Sequence, residues 1–320
     1  MAEPWDDALF PEPTASAAGD DDPELEMVAR HLLALDPDGS RIAAALRNTI
    51  DMLLNGQQTG RFRWDELFKT EKTHCGTLVE ISLQREFGFH GGQDLDYEIA
   101  GIDVDCKYSQ DLWKWMIPPE AVGKLCLVVW ASDEESRWCA GLVRTNESVL
   151  GGGANRDLKR TLSQEGRRHV RRLFWNAPLQ ENTLLRLPPA DVKAIFAPRS
   201  GQQRLDELFR RAQRRRISRT VVATVAQQDD YMKRIRYNGG SRSRLQPEGI
   251  VIFGQFNSHQ KAAAALKLPI PQAGESVSAR LARYSGEKHS IAPRVVLDGS
   301  EWILAGAEDP PERAPMLPQT

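Results

Sequence analysis

The sequence predicts a mixed α/β (α+β) protein of two domains: a mixed sheet flanked by helices, then a basic winged helix-turn-helix. Three observations predict it. The stretch "DYEIAGIDVDCKYS" (96–109) alternates apolar and polar residues on either side of Ala100-Gly101, the pattern of a β-hairpin. It is followed by "KLCLVVWAS" (124–132), an unbroken apolar run typical of a strand buried on both faces. Charge, finally, divides the chain: net charge is −2, yet residues 182–245 hold 15 Lys/Arg against 5 Asp/Glu, the balance of a domain that meets a polyanion.

The elements follow in order. "DPELEMVARHLLAL" (22–35) reads as an amphipathic helix with an Asp N-cap before Pro23, and "RIAAALRNTIDMLLNG" (41–56) as a second, closed by Gly56. In "HCGTLVEISLQREFGF" (74–89), Val79, Leu83 and Phe87 recur every four residues, giving a third helix with Glu80 on a different flank. The hairpin, the apolar strand and a neighbour, "RWCAGLVRT" (137–145), come next. "NRDLKRTLSQEGRRHVRRLF" (155–174) is expected to form one or two helices, and the polar "WNAPLQEN" (175–182) a linker. Beyond it, 189–197 and 203–216 read as helices. "ISRTVVATVAQQ" (217–228) and "DDYMKRIRYNGG" (229–240) read as a tandem pair before the strand "GIVIFG" (249–254), the order of a winged helix-turn-helix. The expected divisions are a disordered acidic tail (1–22), a domain at 23–174, a linker at 175–182, a second domain at 183–310 and a loose tail (311–320).

Composition narrows function. No apolar run approaches the ~20 residues of a membrane helix, and the acidic N-terminus lacks a signal peptide's basic start, so a cytoplasmic protein is expected. Cys75, Cys106, Cys126 and Cys139 form no C-x-x-C pair, which reads as buried thiols in a reducing compartment rather than a zinc site. No phosphate-binding glycine motif appears, so nucleotide-driven chemistry is not indicated.

The hairpin carries the chemistry. If its loop has two or four residues, Ile99 pairs with Ile102 and Asp96 stands opposite Asp105. Lys107, two residues on, shares the face of Asp105. Paired carboxylates hold Mg²⁺ with its waters, and a lysine beside them neutralises a phosphate oxygen or orients water, which is what phosphodiester hydrolysis needs. Glu80, on the preceding helix, is placed to join the same metal. A solvated strand face accounts for the same charges, and Asp103 also shares the face, so another register nominates other acids. In the basic half, Arg214, Arg215 and Arg219, Lys233, Arg234 and Arg236 on the second tandem helix, and Arg242 and Arg244 in the loop beyond are the candidate DNA contacts. Trp113 and Trp115, beside the catalytic strand, fit buried packing better than DNA contact.

The blocks "KTEKTHCGTLVEISLQREF", "DYEIAGIDVDCKYS", "WMIPPE", "LVVWASD", "GANRDLKR" and "TVVATVAQQDDYMKRIR…PEGI" resemble, in order and spacing, the NaeI-type (type IIE) restriction endonucleases. The resemblance spans about Asp22 to Pro310. It implies a PD-(D/E)xK nuclease fold in the first half and a winged helix resembling that of the CAP activator in the second. It further implies a Mg²⁺-dependent homodimer that binds two DNA duplexes and cuts both strands at a GC-rich palindrome (GCCGGC), activated by a second DNA copy at the C-terminal domain. Matched motif by motif, the catalytic set falls on Glu80, Asp96, Asp105 and Lys107, with the three acids on the metal; Leu95 stands where the family name-giving proline would. Other readings are a DNA-repair nicking endonuclease and a non-catalytic winged-helix regulator, against which the intact acid-acid-lysine set speaks.

Overall fold

Asp22 caps the first helix, as predicted. Its carboxylate accepts a hydrogen bond from Leu25 N at 3.0 Å, capping helix α1 (Pro23–Leu35). The structure, a computed structural model, describes residues 22–286 and 291–318; the expected acidic tail, Asp22 apart, lies outside them. The chain forms two compact units: Leu67–Glu181 with the described part of Met1–Leu53, and Asn182–Thr320 with the segment Leu54–Glu66.

In the N-terminal unit, α2 (Ser40–Leu54) ends at Asn55, which takes φ 47, rather than at Gly56. Gly56 instead begins a short helix, α3 (Gly56–Thr59), which belongs to the C-terminal unit, where the Thr224 side chain leaves no room for a Cβ. Helix α4 (Lys69–Phe87) starts earlier than expected and buries Cys75, Val79 and Leu83. The hairpin β1 (Tyr97–Ile99) and β2 (Ile102–Ser109) turns through Ala100 and Gly101, both at positive φ, with Ile99 paired to Ile102. β3 (Leu125–Ser132) runs parallel to β2, and β4 (Arg137–Arg144) antiparallel to β3.

The helices expected over 155–174 do not form. The chain makes a two-stranded ribbon, β5 (Leu150–Ala154) with β6 (Arg160–Leu162), and then strand β7 (Arg171–Pro178). Pairing against β4, with Ala140 opposite Phe174, outweighs the helical charge spacing that suggested otherwise. β7 also takes up residues 175–178 of the expected linker. The resulting sheet has the order β1-β2-β3-β4-β7, a mixed sheet as predicted.

In the C-terminal unit come α5 (Pro189–Phe196), α6 (Gly201–Arg211) and α7 (Arg219–Ala226), the last capped by Ser218. The helix expected over 229–240 is absent. α7 stops at Gln227, at φ 50, and the segment is turns around one 3-10 turn, Lys233–Ile235, before α8 (Ser241–Leu245). β8 (Ile250–Phe253), α9 (Asn257–Ala265), β9 (Val277–Arg283), β10 (Arg294–Leu297) and β11 (Ser300–Leu304) follow, with a sheet order β10-β11-β9-β8. The core of α5, α6 and α7 includes Phe62 from the early segment, whose carbonyl accepts from Asn182 Nδ2 at 3.1 Å. The tail expected to be loose is packed: Ala314 and Leu317 are buried, and Ala314 N donates to Gln246 O at 2.8 Å.

Candidate active site

The sequence places two aspartates and a lysine around one turn, and the β1–β2 register brings them together. With Tyr97 opposite Val104 and Glu98 opposite Asp103, Asp96 falls across from Asp105. Lys107 Nζ lies 2.7 Å from Asp105 Oδ1, 3.3 Å from Asp96 Oδ2 and 2.9 Å from Cys106 O. Asp96 Oδ2 also accepts Cys106 N at 2.7 Å, which fixes the first acid to the second strand. Asp105 is 3 % exposed, and Cys126 Sγ on β3 donates to its Oδ2 at 3.7 Å.

Burial sets the electrostatics. Burial raises the Asp105 pKa above the usual carboxylate range, and the charge of Asp96 raises it further, only partly offset by Lys107. Burial acts the opposite way on Lys107, but Asp105 and then Asp96 overcome it and hold the ammonium above an ordinary lysine, charged at any working pH. Glu80 is half-buried on α4. Its carboxyl is raised by burial first and by the Asp96 charge second, so its side chain feels the same site. Tyr97 anchors that helix turn by donating its OH to Glu80 O at 2.8 Å.

Asp103 serves another purpose: its carboxylate accepts Gln93 N at 2.8 Å and Asp94 N at 3.1 Å, holding the loop that leads to Asp96. A Cβ at Gly92 would meet Asp103 Oδ1 and Leu95 O, each at 2.7 Å, so this loop needs glycine there. Neither the capping role of Asp103 nor the thiol of Cys126 beside Asp105 was anticipated from the sequence. The Asp105↔Cys126 strand pairing depends on a crossover that local patterns do not show.

Among the described residues, no group of three or more His, Cys, Asp or Glu is assembled to hold a metal ion. Asp96 and Asp105 converge on the Lys107 ammonium, and Glu80, from the separate helix α4, brings its carboxyl against that of Asp96. Two carboxylates nevertheless fit Mg²⁺, which keeps several waters and is commonly held by one or two such groups.

The basic residues of the C-terminal unit are dispersed. Lys233, Arg234 and Arg236 sit in the turn-rich segment rather than on a helix, and Lys233 and Arg236 are exposed. Arg234 pairs with Asp230 at 3.2 Å, and Arg244, on α8 rather than in a loop, with buried Asp206 at 2.6 Å. Arg219 Nε donates to Tyr231 OH at 2.7 Å. Arg242, also on α8, turns inward, its Nε on Ile252 O at 3.0 Å, while Arg214 reaches Ala305 O at 3.0 Å. Arg215 is exposed. In the N-terminal unit Trp113 and Trp115 are buried and pack edge-to-face.

A family model described as restriction endonuclease NaeI matches residues 26–312. A protein from Lentzea aerocolonigenes, "Type II restriction enzyme NaeI", is 49 % identical over 315 residues, covering 96 % of this chain and 98 % of its own length. The chain belongs to the NaeI restriction endonuclease family.

Proposed function

We propose that this NaeI-like type II restriction endonuclease is a Mg²⁺-dependent homodimer of the type IIE kind. It cuts both strands of duplex DNA at a GC-rich palindrome, GCCGGC, and is activated by a second duplex at its C-terminal unit. The observation that carries the reading is the convergence of Asp96 and Asp105 on Lys107 across the β1–β2 turn, in a chain of this family. Glu80, Asp96, Asp105 and Lys107 are the catalytic set, with Asp96 and Asp105 holding the metal and Glu80 close enough to add a ligand. When bound there, Mg²⁺ supplies Lewis acidity and a water acidic enough to ionise near neutral pH.

The rest is work for the chain's own groups. The Lys107 ammonium, held charged, neutralises a non-bridging phosphate oxygen and keeps the nucleophilic water in line. Asp105, fixed on a central strand, keeps its carboxylate in place as the phosphate arrives, so little reorganisation accompanies the step. For the second duplex the proposed site is a winged helix-turn-helix built on α7 and the segment through α8. There Arg215, Arg219, Lys233, Arg236 and Arg244 face phosphates, Arg234 is freed from Asp230 by binding, and Arg214 and Arg242 support the backbone around them. The enzyme works on cytoplasmic DNA.

The test is incubation of the purified protein with plasmid and Mg²⁺, followed by mapping of the ends. Double-strand breaks at one palindrome, accelerated on single-site plasmid by an uncleavable duplex added in trans, are expected. Nicks in one strand only indicate a nicking enzyme instead, and unstimulated cleavage removes the effector duplex while leaving the nuclease.

A further inference from the structure

The β5–β6 ribbon has no part in the site above, yet it is rooted on the same face of the sheet. Asp105 and Cys126 are register partners, and Cys126, Val128 and Trp130 point from β3 into an apolar cluster that also takes in Leu150 and Leu162, the feet of the ribbon. A second tie comes from the chain leaving β2: Ile117 N donates to Arg160 O at 2.8 Å and Arg160 N to Ile117 O at 2.9 Å. The ribbon therefore stands on the side of the sheet that presents Asp105 and Lys107.

Its tip is built rather than slack. Asn155 Oδ1 accepts Asp157 N at 3.0 Å and Lys159 N at 2.9 Å, and Leu158 N donates to Asn155 O at 3.0 Å. On this turn Leu158 is 67 % exposed at φ 58, a conformation that glycine or asparagine adopts with far less strain. An ordinary surface turn would carry one of those residues. Here an apolar side chain is held out into solvent at a backbone cost, which is the pattern of a contact residue. Arg156 and Lys159 flank it and have no acidic partner among the described residues, whereas Arg160 is paired with Glu147 at 2.8 Å. Exposed Gly152 and Gly153 leave the strand bare enough for close approach.

We propose that this ribbon enters the major groove of the duplex being cut and helps read its sequence, with Leu158 against base edges and Arg156 and Lys159 on the adjoining phosphates. The inference rests on the nuclease reading of the Asp96–Asp105–Lys107 site. A major groove about 12 Å wide admits a two-stranded ribbon, and apolar contacts there discriminate between bases. Phosphate contacts from the flanking cations set its register.

The test uses the whole protein and a duplex carrying the mapped cut site, compared with duplexes changed at one base pair. Leu158→Asn keeps the turn, since asparagine tolerates its φ, and Leu158→Met keeps the apolar contact. Expected for Leu158→Asn is an unchanged melting temperature and a tenfold or greater loss of discrimination in single-turnover cleavage, confined to one or two base pairs. Leu158→Met should restore it. Arg156→Ala should weaken cleavage of all duplexes alike and reduce the salt dependence of binding by about one phosphate contact. Wild-type discrimination in Leu158→Asn, with Lys107→Ala inactive in parallel, overturns the ribbon inference alone. Absence of cleavage by the wild-type protein overturns the nuclease reading and the inference with it.

Discussion

Replacing Lys107 with methionine removes the one positive charge between two carboxylates while keeping the length and most of the packing of the side chain. Lys107 and Asp96 are 22 % and 21 % exposed in their side chains and Asp105 only 4 %. Breaking a fully buried ion pair from one side costs roughly 3–5 kcal/mol. Because two of the three groups keep about a fifth of their exposure, ~1–3 kcal/mol is the expected loss here. For a unit of this size that is a fall in melting temperature of roughly 3–10 °C. The pH dependence has a definite sign. The pKa of Asp105 is already raised in the fold, so its ionisation opposes folding, and the opposition grows as pH rises above the unfolded carboxylate value of about 4. Without Lys107 the folded pKa moves higher still, and the deficit of Lys107→Met relative to wild type should widen from pH 5 to pH 8. Mg²⁺ or Ca²⁺ should close part of that gap, since a divalent cation occupies the same electrostatic role. Calorimetric melts across pH, with and without each ion, read all of this, and plasmid cleavage should fall at least a hundredfold. A variant equally stable at both pH values, indifferent to divalent ions and active at the wild-type rate would refute the argument.

Other perturbations probe the frame around the site. Gly92→Ala places a methyl group against Leu95 O and Asp103 Oδ1, so cleavage should drop at least tenfold through displacement of Asp96, with the circular dichroism spectrum unchanged. Asp133→Asn removes one of the two carboxylates on the buried Arg47 guanidinium and leaves it with Asp51 at 2.7 Å; a loss of about 2 kcal/mol is expected in denaturant melts. Burial lowers the His259 pKa, and its ring accepts Gly254 N at Nδ1 and faces Pro318 O through Nε2. The contribution is complete above the unfolded value of about 6.5 and is lost as pH falls below it, so melts from pH 7.5 to 5 should show a decline that His259→Gln flattens.

Much of the candidate site was legible because it is local. Alternation through Tyr97, Ile99, Ile102 and Val104 and a glycine at the turn fix the register, and the register alone puts Asp96 across from Asp105. The mixed sheet was legible from one unbroken apolar run. What sequence could not show depends on partners far along the chain. Arg171–Pro178 is a strand because β4 offers it an edge, and nothing within 155–174 announces that neighbour. The segment 229–240 carries helix-like charge spacing, but Gln227 ends α7 in a left-handed turn and two glycines follow, so turns prevail. Arg242 illustrates the same limit: its surroundings in sequence are polar, yet its guanidinium is committed to a strand carbonyl.

The passage of Leu54–Glu66 through the C-terminal unit changes what it means to divide this protein. The polypeptide enters that unit early, leaves it to build α4 and the β1–β2 hairpin, and returns at Asn182. A protease nick between Pro178 and Asn182 would therefore not release two pieces. The N-terminal fragment would still have Phe62 embedded in the core of α5, α6 and α7, with its carbonyl on Asn182, and the halves should migrate together until denatured. For the same reason the C-terminal unit is not a cassette that can be exchanged at one boundary. A graft taken from Asn182 onward leaves a gap where an aromatic ring belongs, and a faithful one must carry the thirteen residues Leu54–Glu66 as well.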